Sequence, residues 1–252
     1  MNPESPVTVP RNALSLTMHS APSQPVMTKP APLADAEAAI WVGEVGGTNS
    51  LSDWEALLSP DERERAHRFH FPEDWRRYVY GRGLLRWLLG SYLGLDPAAL
   101  KFTYTEHGKP ELADAISARP LHFNLSHSGT QLLLAFAWER RVGADVEQVT
   151  GNRDLEQIAN RFFSPAERKA LLALQGDTRK EAFYLCWSRK EAFLKAVGDG
   201  LSMPLDQFDV AVHPNQPAVL LATRPDPAEA DRWEMHGLDL GPGYAAAVVL
   251  ER

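Results

Sequence analysis

The sequence predicts an α+β fold made of two pseudo-duplicated halves, each a small, mostly antiparallel sheet packed with helices, with the active site at the seam between them. Three observations lead there. The chain has 252 residues, 44% hydrophobic and 23% charged, which suits one large soluble domain or two small ones. Strand-like and helix-like segments follow one another in a similar order before and after the polar link 148–153, although no sequence repeat is recognisable. Paired acids stand just before that link and a Glu-x-x-x-Lys helix after it, so chemistry-bearing groups come from both halves. The expected division is a disordered Pro-rich tail over 1–36, an N-terminal half over 37–148 and a C-terminal half over 149–252.

In chain order, the tail carries Pro3, Pro6, Pro10, Pro22, Pro25, Pro30 and Pro32, which oppose steady helix or strand. Residues 39–45 read as the first strand and Ser52-Asp53-Trp54-Glu55 as a helix start. Gly46-Gly47 between them lacks the Gly-Lys-Ser/Thr ending of a phosphate-binding loop and reads as a turn. Ser59 caps a second helix whose first turn holds Pro60, Asp61 and Glu62. Tyr78, Gly81, Leu85, Leu88 and Tyr92 at helical spacing predict a core helix over 73–93. It lies in an arginine-dense stretch (Arg63, Arg65, Arg68, Arg76, Arg77, Arg82, Arg86) that reads either as a solvated charged face or as a phosphate-binding surface. A short strand over 100–104 leads into the turn Glu106-His107-Gly108-Lys109-Pro110. Residues 121–138 read as strand, tight polar turn and strand, with Ser126, His127 and Ser128 able to cap backbone groups. In the strand 141–147 a period of two puts Asp145 and Glu147 on one face, a pair that is either well solvated or holds a hard cation such as Mg²⁺.

Beyond the link come a helix around 154–161, another capped by Ser164-Pro165-Ala166-Glu167, a helix through 184–195 stopped at Gly198-Asp199-Gly200, and strands near 208–212, 219–222 and 244–250. At about 100° per residue, Tyr184, Trp187, Ser188, Glu191 and Lys195 share one stripe of the 184–195 helix, with Leu185, Cys186, Phe193, Ala196 and Val197 opposite. One face is expected to pack and the other to display a carboxylate beside an ammonium. Taken alone, Glu191 and Lys195 also fit an ordinary surface ion pair.

Charge narrows the classes. With 26 Lys+Arg against 33 Asp+Glu the net charge is −7, which argues against broad adhesion to nucleic acid or anionic membrane. No apolar run reaches the ~18 residues of a membrane span, and the N-terminus lacks a basic-then-apolar secretory layout. Cys186, the single cysteine, excludes an internal disulfide and sits among apolar helix positions. A cytoplasmic monomer is expected.

Asp145-Val146-Glu147, followed about 40 residues later by Trp187-Ser188-Arg189-Lys190-Glu191-Ala192-Phe193-Leu194-Lys195, resembles the signature of 4′-phosphopantetheinyl transferases. Gly108-Lys109-Pro110, Phe123-Asn124-Leu125-Ser126-His127-Ser128-Gly129, Arg161-Phe162-Phe163-Ser164 and Gly200-Leu201 are similar to the surfactin-type branch of that family, over about residues 40–250. The resemblance implies that family's fold and its reaction: a carrier-protein serine attacks the pantetheine-side phosphorus of coenzyme A and 3′,5′-ADP leaves. It implies Mg²⁺ on Asp145, Glu147 and Glu191, and Lys195 as the cation stabilising the pyrophosphate or departing phosphate. It implies Arg65, Arg77, Lys109, Ser126 and His127 around the adenosine and its 3′-phosphate, and Glu167 as general base for the serine. The implied partners are coenzyme A and an apo acyl or peptidyl carrier protein; the carrier surface is expected on the second half after the strand 141–147, with Phe162, Phe163 and residues 171–174 as apolar contacts and Arg153 or Arg161 meeting acidic carrier helices. Glu62 and Tyr78 depart from the family pattern, where a lysine and a small hydroxyl residue are familiar, so altered nucleotide contacts are expected there. A silent binding module and a Mg²⁺-dependent phosphohydrolase are the other readings.

Overall fold

A computed structural model of the chain describes residues 15–26, 29–46, 51–105, 108–113, 117, 119–151, 154–198 and 203–252. Its first half contains strands β1 (Ser15–Ser20) and β2 (Glu37–Glu44), helices α1 (Leu51–Ala56), α2 (Pro60–His67) and α3 (Pro72–Leu93), then β3 (Phe102–Tyr104), β4 (Pro110–Leu112), β5 (Leu121–Ser128) and β6 (Gln131–Trp138). The rest contains β7 (Val142–Gln148), α4 (Leu155–Phe162), α5 (Pro165–Leu172), α6 (Gly176–Val197), β8 (Phe208–Val210), β9 (Leu220–Thr223), β10 (Trp233–Leu238) and β11 (Tyr244–Glu251). A four-stranded sheet runs β1-β2-β6-β5 and a three-stranded one β10-β11-β7, with β3-β4 and β8-β9 as small separate hairpins. Every pair is antiparallel except β1-β2.

Side-chain alternation explains the layering. On β6, Leu132, Leu134 and Phe136 enter one core with α3, while Leu133, Ala135 and Ala137 enter a second core shared with β7 and β11. On β11, Ala246, Val248 and Leu250 face that shared core, and Ala245, Ala247 and Val249 face α6. The order through the molecule is therefore α3, first sheet, second sheet, α6. Alanines dominate the middle layer, which lets the two sheets approach closely. Gly143 does the same for α6: a Cβ there would stand 2.1 Å from the Ala192 carbonyl oxygen and 2.3 Å from the Ala196 nitrogen.

Four expectations are corrected. The tail is not disordered throughout 1–36, because Ser15–Ser20 falls in a proline-free window and pairs in parallel with β2. Its continuation is fastened as well: Trp54 Nε1 donates to the Ser23 carbonyl (3.0 Å) and Tyr80 Oη to the Pro22 carbonyl (3.1 Å). The strand carrying Asp145 and Glu147 was placed in the first half but pairs residue for residue with β11, so the seam lies before β7 rather than after it. The arginines of α3 are not a uniformly solvated face, since Arg82 and Arg86 are buried and paired with Glu62. From Tyr184 on, helix α6 is not half exposed: it lies between the second sheet and α5, and only Leu185, Trp187, Glu191, Lys195 and Val197 there are partly open, while residues 176–181 are exposed or half-buried. Gly198 closes it in the left-handed conformation; the rest of the stop signal, Asp199 and Gly200, lies outside the described residues, as do Gly47, Glu106, His107, Arg153 and Leu201.

Candidate active site

A cleft of about 570 Å³ runs between the N-terminal part of α3, the β3-β4 hairpin, β5 and the C-terminal half of α6. Arg65, Arg77, Lys109, His127, Glu191 and Lys195 line it, together with Tyr78, Arg82 and Tyr104. Each cationic group has a mechanical reason for its position. Arg77 Nη1 binds Asp74 one turn back (2.9 Å), which holds the guanidinium at the wall while its buried Nε has no hydrogen-bond partner. Arg65 lies 5.6 Å over the Tyr78 ring. The Tyr78 hydroxyl, also without a well-formed hydrogen bond, is pushed up in pKa by burial despite the neighbouring Arg82. Unmatched donors on a cationic wall suit an anionic ligand rich in acceptor oxygens. Lys109 Nζ donates to the Lys195 carbonyl (2.9 Å) at the C-terminal turn of α6, and burial lowers its pKa. His127 is held below the usual imidazole range, first by desolvation and then by Arg77 and Lys195.

The seam lies at the inner end of this wall. Lys195 Nζ contacts Asp145 Oδ1 (2.6 Å), Ser126 Oγ (3.0 Å) and the Ala144 carbonyl (3.3 Å). Asp145 is 3% exposed, and burial pushes its carboxyl up to about 6 against the pull of Lys195. Glu147 and Glu191 push it in the same direction as burial, and Glu147 does the same to Glu191, whose pKa burial also raises. The three carboxylates thus feel one another, although among the described residues no three acidic, His or Cys groups close to metal-ligand spacing. In this arrangement Asp145 Oδ1 is taken by the Lys195 ammonium, while buried Asp145 Oδ2 has no hydrogen-bond partner. An unmatched buried carboxylate oxygen, with Glu147 and Glu191 within electrostatic reach, is the chemistry a hard divalent cation takes.

Four expected site residues lie off the cleft wall: Asp145 and Glu147 on β7 behind it, and Ser126 and Glu167. Ser126 is buried and does not line the cleft, since its hydroxyl donates to Asp145 Oδ1 (3.0 Å) and accepts from Lys195 and from the Val146 N–H (3.4 Å), which uses its full capacity. Glu167 is 2% exposed and also absent from the cleft wall. Its Oε2 accepts from the Ser164 N–H (2.9 Å) in the capping box of α5, and its Oε1 accepts from the Val210 N–H (2.8 Å) and pairs with buried Lys190 (2.8 Å). A carboxylate with both oxygens committed inside the core has no path to a carrier serine. Glu62 is its counterpart in the first half, capping α2 through the Ser59 N–H (3.0 Å) and pairing with Arg86 (2.5 Å) and Arg82 (3.1 Å), so its departure from lysine is a packing matter.

Arg82 and Tyr104 line the cleft without having been assigned to it from sequence. Arg82 hydrogen-bonds the Tyr104 hydroxyl and lies 5.0 Å over the Phe102 ring. The available signal was its place one helical turn beyond Tyr78.

A family model described as 4′-phosphopantetheinyl transferase superfamily matches residues 141–249, and one described as 4′-phosphopantetheinyl transferase, N-terminal, matches residues 48–139. The junction of the two models falls just before β7, at the seam. The 4′-phosphopantetheinyl transferase HetI of Nostoc sp. is 44% identical over 172 residues, covering 68% of this chain and 72% of the relative. The 4′-phosphopantetheinyl transferase Sfp of Bacillus subtilis is 38% identical over 194 residues, covering 77% of this chain and 82% of the relative. With both halves matched and the signature residues gathered at one seam, the chain belongs to the 4′-phosphopantetheinyl transferase superfamily.

Proposed function

We propose that this protein transfers the 4′-phosphopantetheine arm of coenzyme A to a serine of an apo acyl or peptidyl carrier protein. The observation that carries the reading is Lys195, which lines the arginine- and lysine-rich cleft together with Glu191 and pairs with Asp145 Oδ1 (2.6 Å) on β7. The serine Oγ forms a bond to the pantetheine-side phosphorus, the bond from that phosphorus to the bridging pyrophosphate oxygen breaks, and 3′,5′-ADP leaves with the bonding pair. Such a transfer leaves the protein mainly positioning and charge stabilisation to supply.

Arg65, Arg77, Lys109 and His127 hold the nucleotide end, with the unmatched Arg77 Nε and the Tyr78 hydroxyl as donors to phosphate oxygen. Lys195 stands where negative charge grows on the departing oxygens. Asp145, Glu147 and Glu191 would hold Mg²⁺, which, when bound, neutralises pyrophosphate oxygens. Since Glu167 is committed to the core, the serine proton passes to water or to a seam carboxylate.

The carrier surface is read on α4 and the end of α5. Phe163 and Leu171 are core residues and drop out of it, whereas half-buried Phe162, stacked under Arg161 (5.0 Å), and Leu172 (51% exposed) offer apolar contact beside a cation. Arg161→Glu is expected to raise the KM for an acidic carrier while leaving CoA binding unchanged, as read by steady-state kinetics and calorimetry. Among the described residues no helix is long and apolar enough to cross a membrane, in keeping with a cytoplasmic monomer acting on a diffusing carrier. Chromatographic measurement of 3′,5′-ADP separates transfer from hydrolysis. Release that depends on an apo carrier supports the proposal, and equal release from CoA alone favours the phosphohydrolase.

A further inference from the structure

We propose that Ser128 is a positioning residue that fixes the Glu147 carboxylate at the seam, as the last rung of a ladder of side chains joining the two sheets. The ladder is made of Asn124, Ser126 and Ser128, which follow one another at the period of two on β5. Facing them, β7 presents the N–H groups of Ala144, Val146 and Gln148 on the edge opposite β11. Asn124 Oδ1 accepts from Ala144 (3.0 Å), Ser126 Oγ from Val146 (3.4 Å) and Ser128 Oγ from Gln148 (3.0 Å). Side chains of the first sheet thus satisfy an edge of the second that would otherwise lack partners.

The proton count gives the two serines a second task. A serine hydroxyl has one proton, and both spend it on a seam carboxylate: Ser126 on Asp145 Oδ1 (3.0 Å) and Ser128 on Glu147 Oε2 (3.0 Å). Each hydroxyl is aimed by the backbone N–H it accepts from, and in turn aims the acid. Asp145 has Lys195 as a further anchor; for Glu147, Ser128 provides the hydrogen bond that sets the carboxylate plane. Among the described residues no hydrogen bond engages Glu147 Oε1, which the metal reading assigns to the cation. Second-layer partners of this kind orient a metal-binding acid, and their loss typically costs about 10–100-fold in metal affinity.

This inference rests on the metal reading above, and its test separates the two. Binding of Mn²⁺ to the full-length protein with CoA present is measured by electron paramagnetic resonance, alongside the Mg²⁺ concentration for half-maximal transfer, the KM for CoA at saturating Mg²⁺, and the melting temperature. For Ser128→Ala, Mn²⁺ affinity and the Mg²⁺ midpoint are expected to worsen by about tenfold, with the KM for CoA unchanged and Ser128→Thr restoring the metal terms. Wild-type Mn²⁺ affinity in Ser128→Ala, or a loss that appears only as a lower melting temperature, overturns the positioning role and leaves the metal site standing. If the wild-type protein binds no Mn²⁺ with CoA, the metal reading falls and this inference with it. Should Ser128→Ala fail to fold, Ser128→Cys, close in size and a weak donor, carries the same comparison.

Discussion

Glu167 in the first turn of α5 and Glu191 in the C-terminal half of α6 are both helical glutamates, yet their surroundings assign them opposite tasks. Glu167 closes a capping box and neutralises Lys190 in the core, whereas Glu191 stands partly open on the cleft wall beside Lys195. Breaking the Glu167–Lys190 pair leaves a buried ammonium, so Glu167→Ala is expected to lose about 3–5 kcal/mol of stability in urea titrations. At low temperature the folded fraction of Glu167→Gln should keep its kcat within about twofold of wild type, whereas a catalytic base would lose orders of magnitude. Glu191→Ala should do the reverse, with a folded protein by circular dichroism and no detectable transfer. The acid pattern at the site was legible because Asp-x-Glu and Glu-x-x-x-Lys have fixed geometry on strand and helix. The tasks of Glu167 and Ser126 were not, because motif position does not reveal which hydrogen bonds a buried group has already made.

At the scale of elements, α6 works by lying directly against β7. Gly143 permits this, and the distances its Cβ would reach leave no room for compromise on either backbone. Gly143→Ala should therefore push α6 off β7, with a stability loss of at least about 1–3 kcal/mol and near-complete loss of transfer. The C-terminal turn of α6 is also tied down by Arg141, whose Nη1 donates to the Val197 carbonyl (3.2 Å) while Nε and Nη2 bind Glu251 (3.0 Å each). The hydrogen bonds of Arg141, then those of Arg232, hold the Glu251 carboxyl at about 2 instead of 4.5. Its contribution is complete above pH 4.5, where the unfolded chain is also ionised, and is lost as pH falls from there toward 2. Glu251→Gln should thus lower stability by ~1–2 kcal/mol at pH 7 and flatten its fall in acid, which denaturant titrations across pH can read. Most elements were legible from periodicity: residues 73–93 foretold α3 and 121–138 the β5-β6 hairpin. β10 has only Trp233 and Met235 alternating inward to mark it, and β1 lies in the eleven-residue proline-free gap between Pro10 and Pro22 of an otherwise proline-rich segment. The burial of Ser188, Arg189 and Lys190 on α6 is not legible in the sequence, because carbonyl partners such as Ala211, Leu205 and Phe208 come from distant loops.

Over the whole molecule, the duplication that the order of elements suggested has a concrete residue-level trace. Ser59-Pro60-Asp61-Glu62 and Ser164-Pro165-Ala166-Glu167 each cap a short helix and pair a buried glutamate with a cation from a long one. Those long helices, α3 and α6, each span 22 residues and end on a left-handed glycine, Gly94 or Gly198. The two halves differ in what they present: α3 lines the cleft with Arg77 and Arg82, and α6 brings Glu191 and Lys195, the latter paired with Asp145 of β7. The seam is legible as a place but not in its pairing, because sheet pairing across about 100 residues leaves no local pattern, so the polar link 148–153 marks the boundary on the wrong side of β7. The central claim, that this seam transfers phosphopantetheine to a carrier serine, is tested most directly by the intact mass of an apo carrier incubated with the protein, CoA and Mg²⁺. One phosphopantetheine per carrier is expected, abolished when the acceptor serine is replaced by alanine. No mass increase across acyl, polyketide and peptidyl carriers, with a folded protein that binds CoA, would contradict the account.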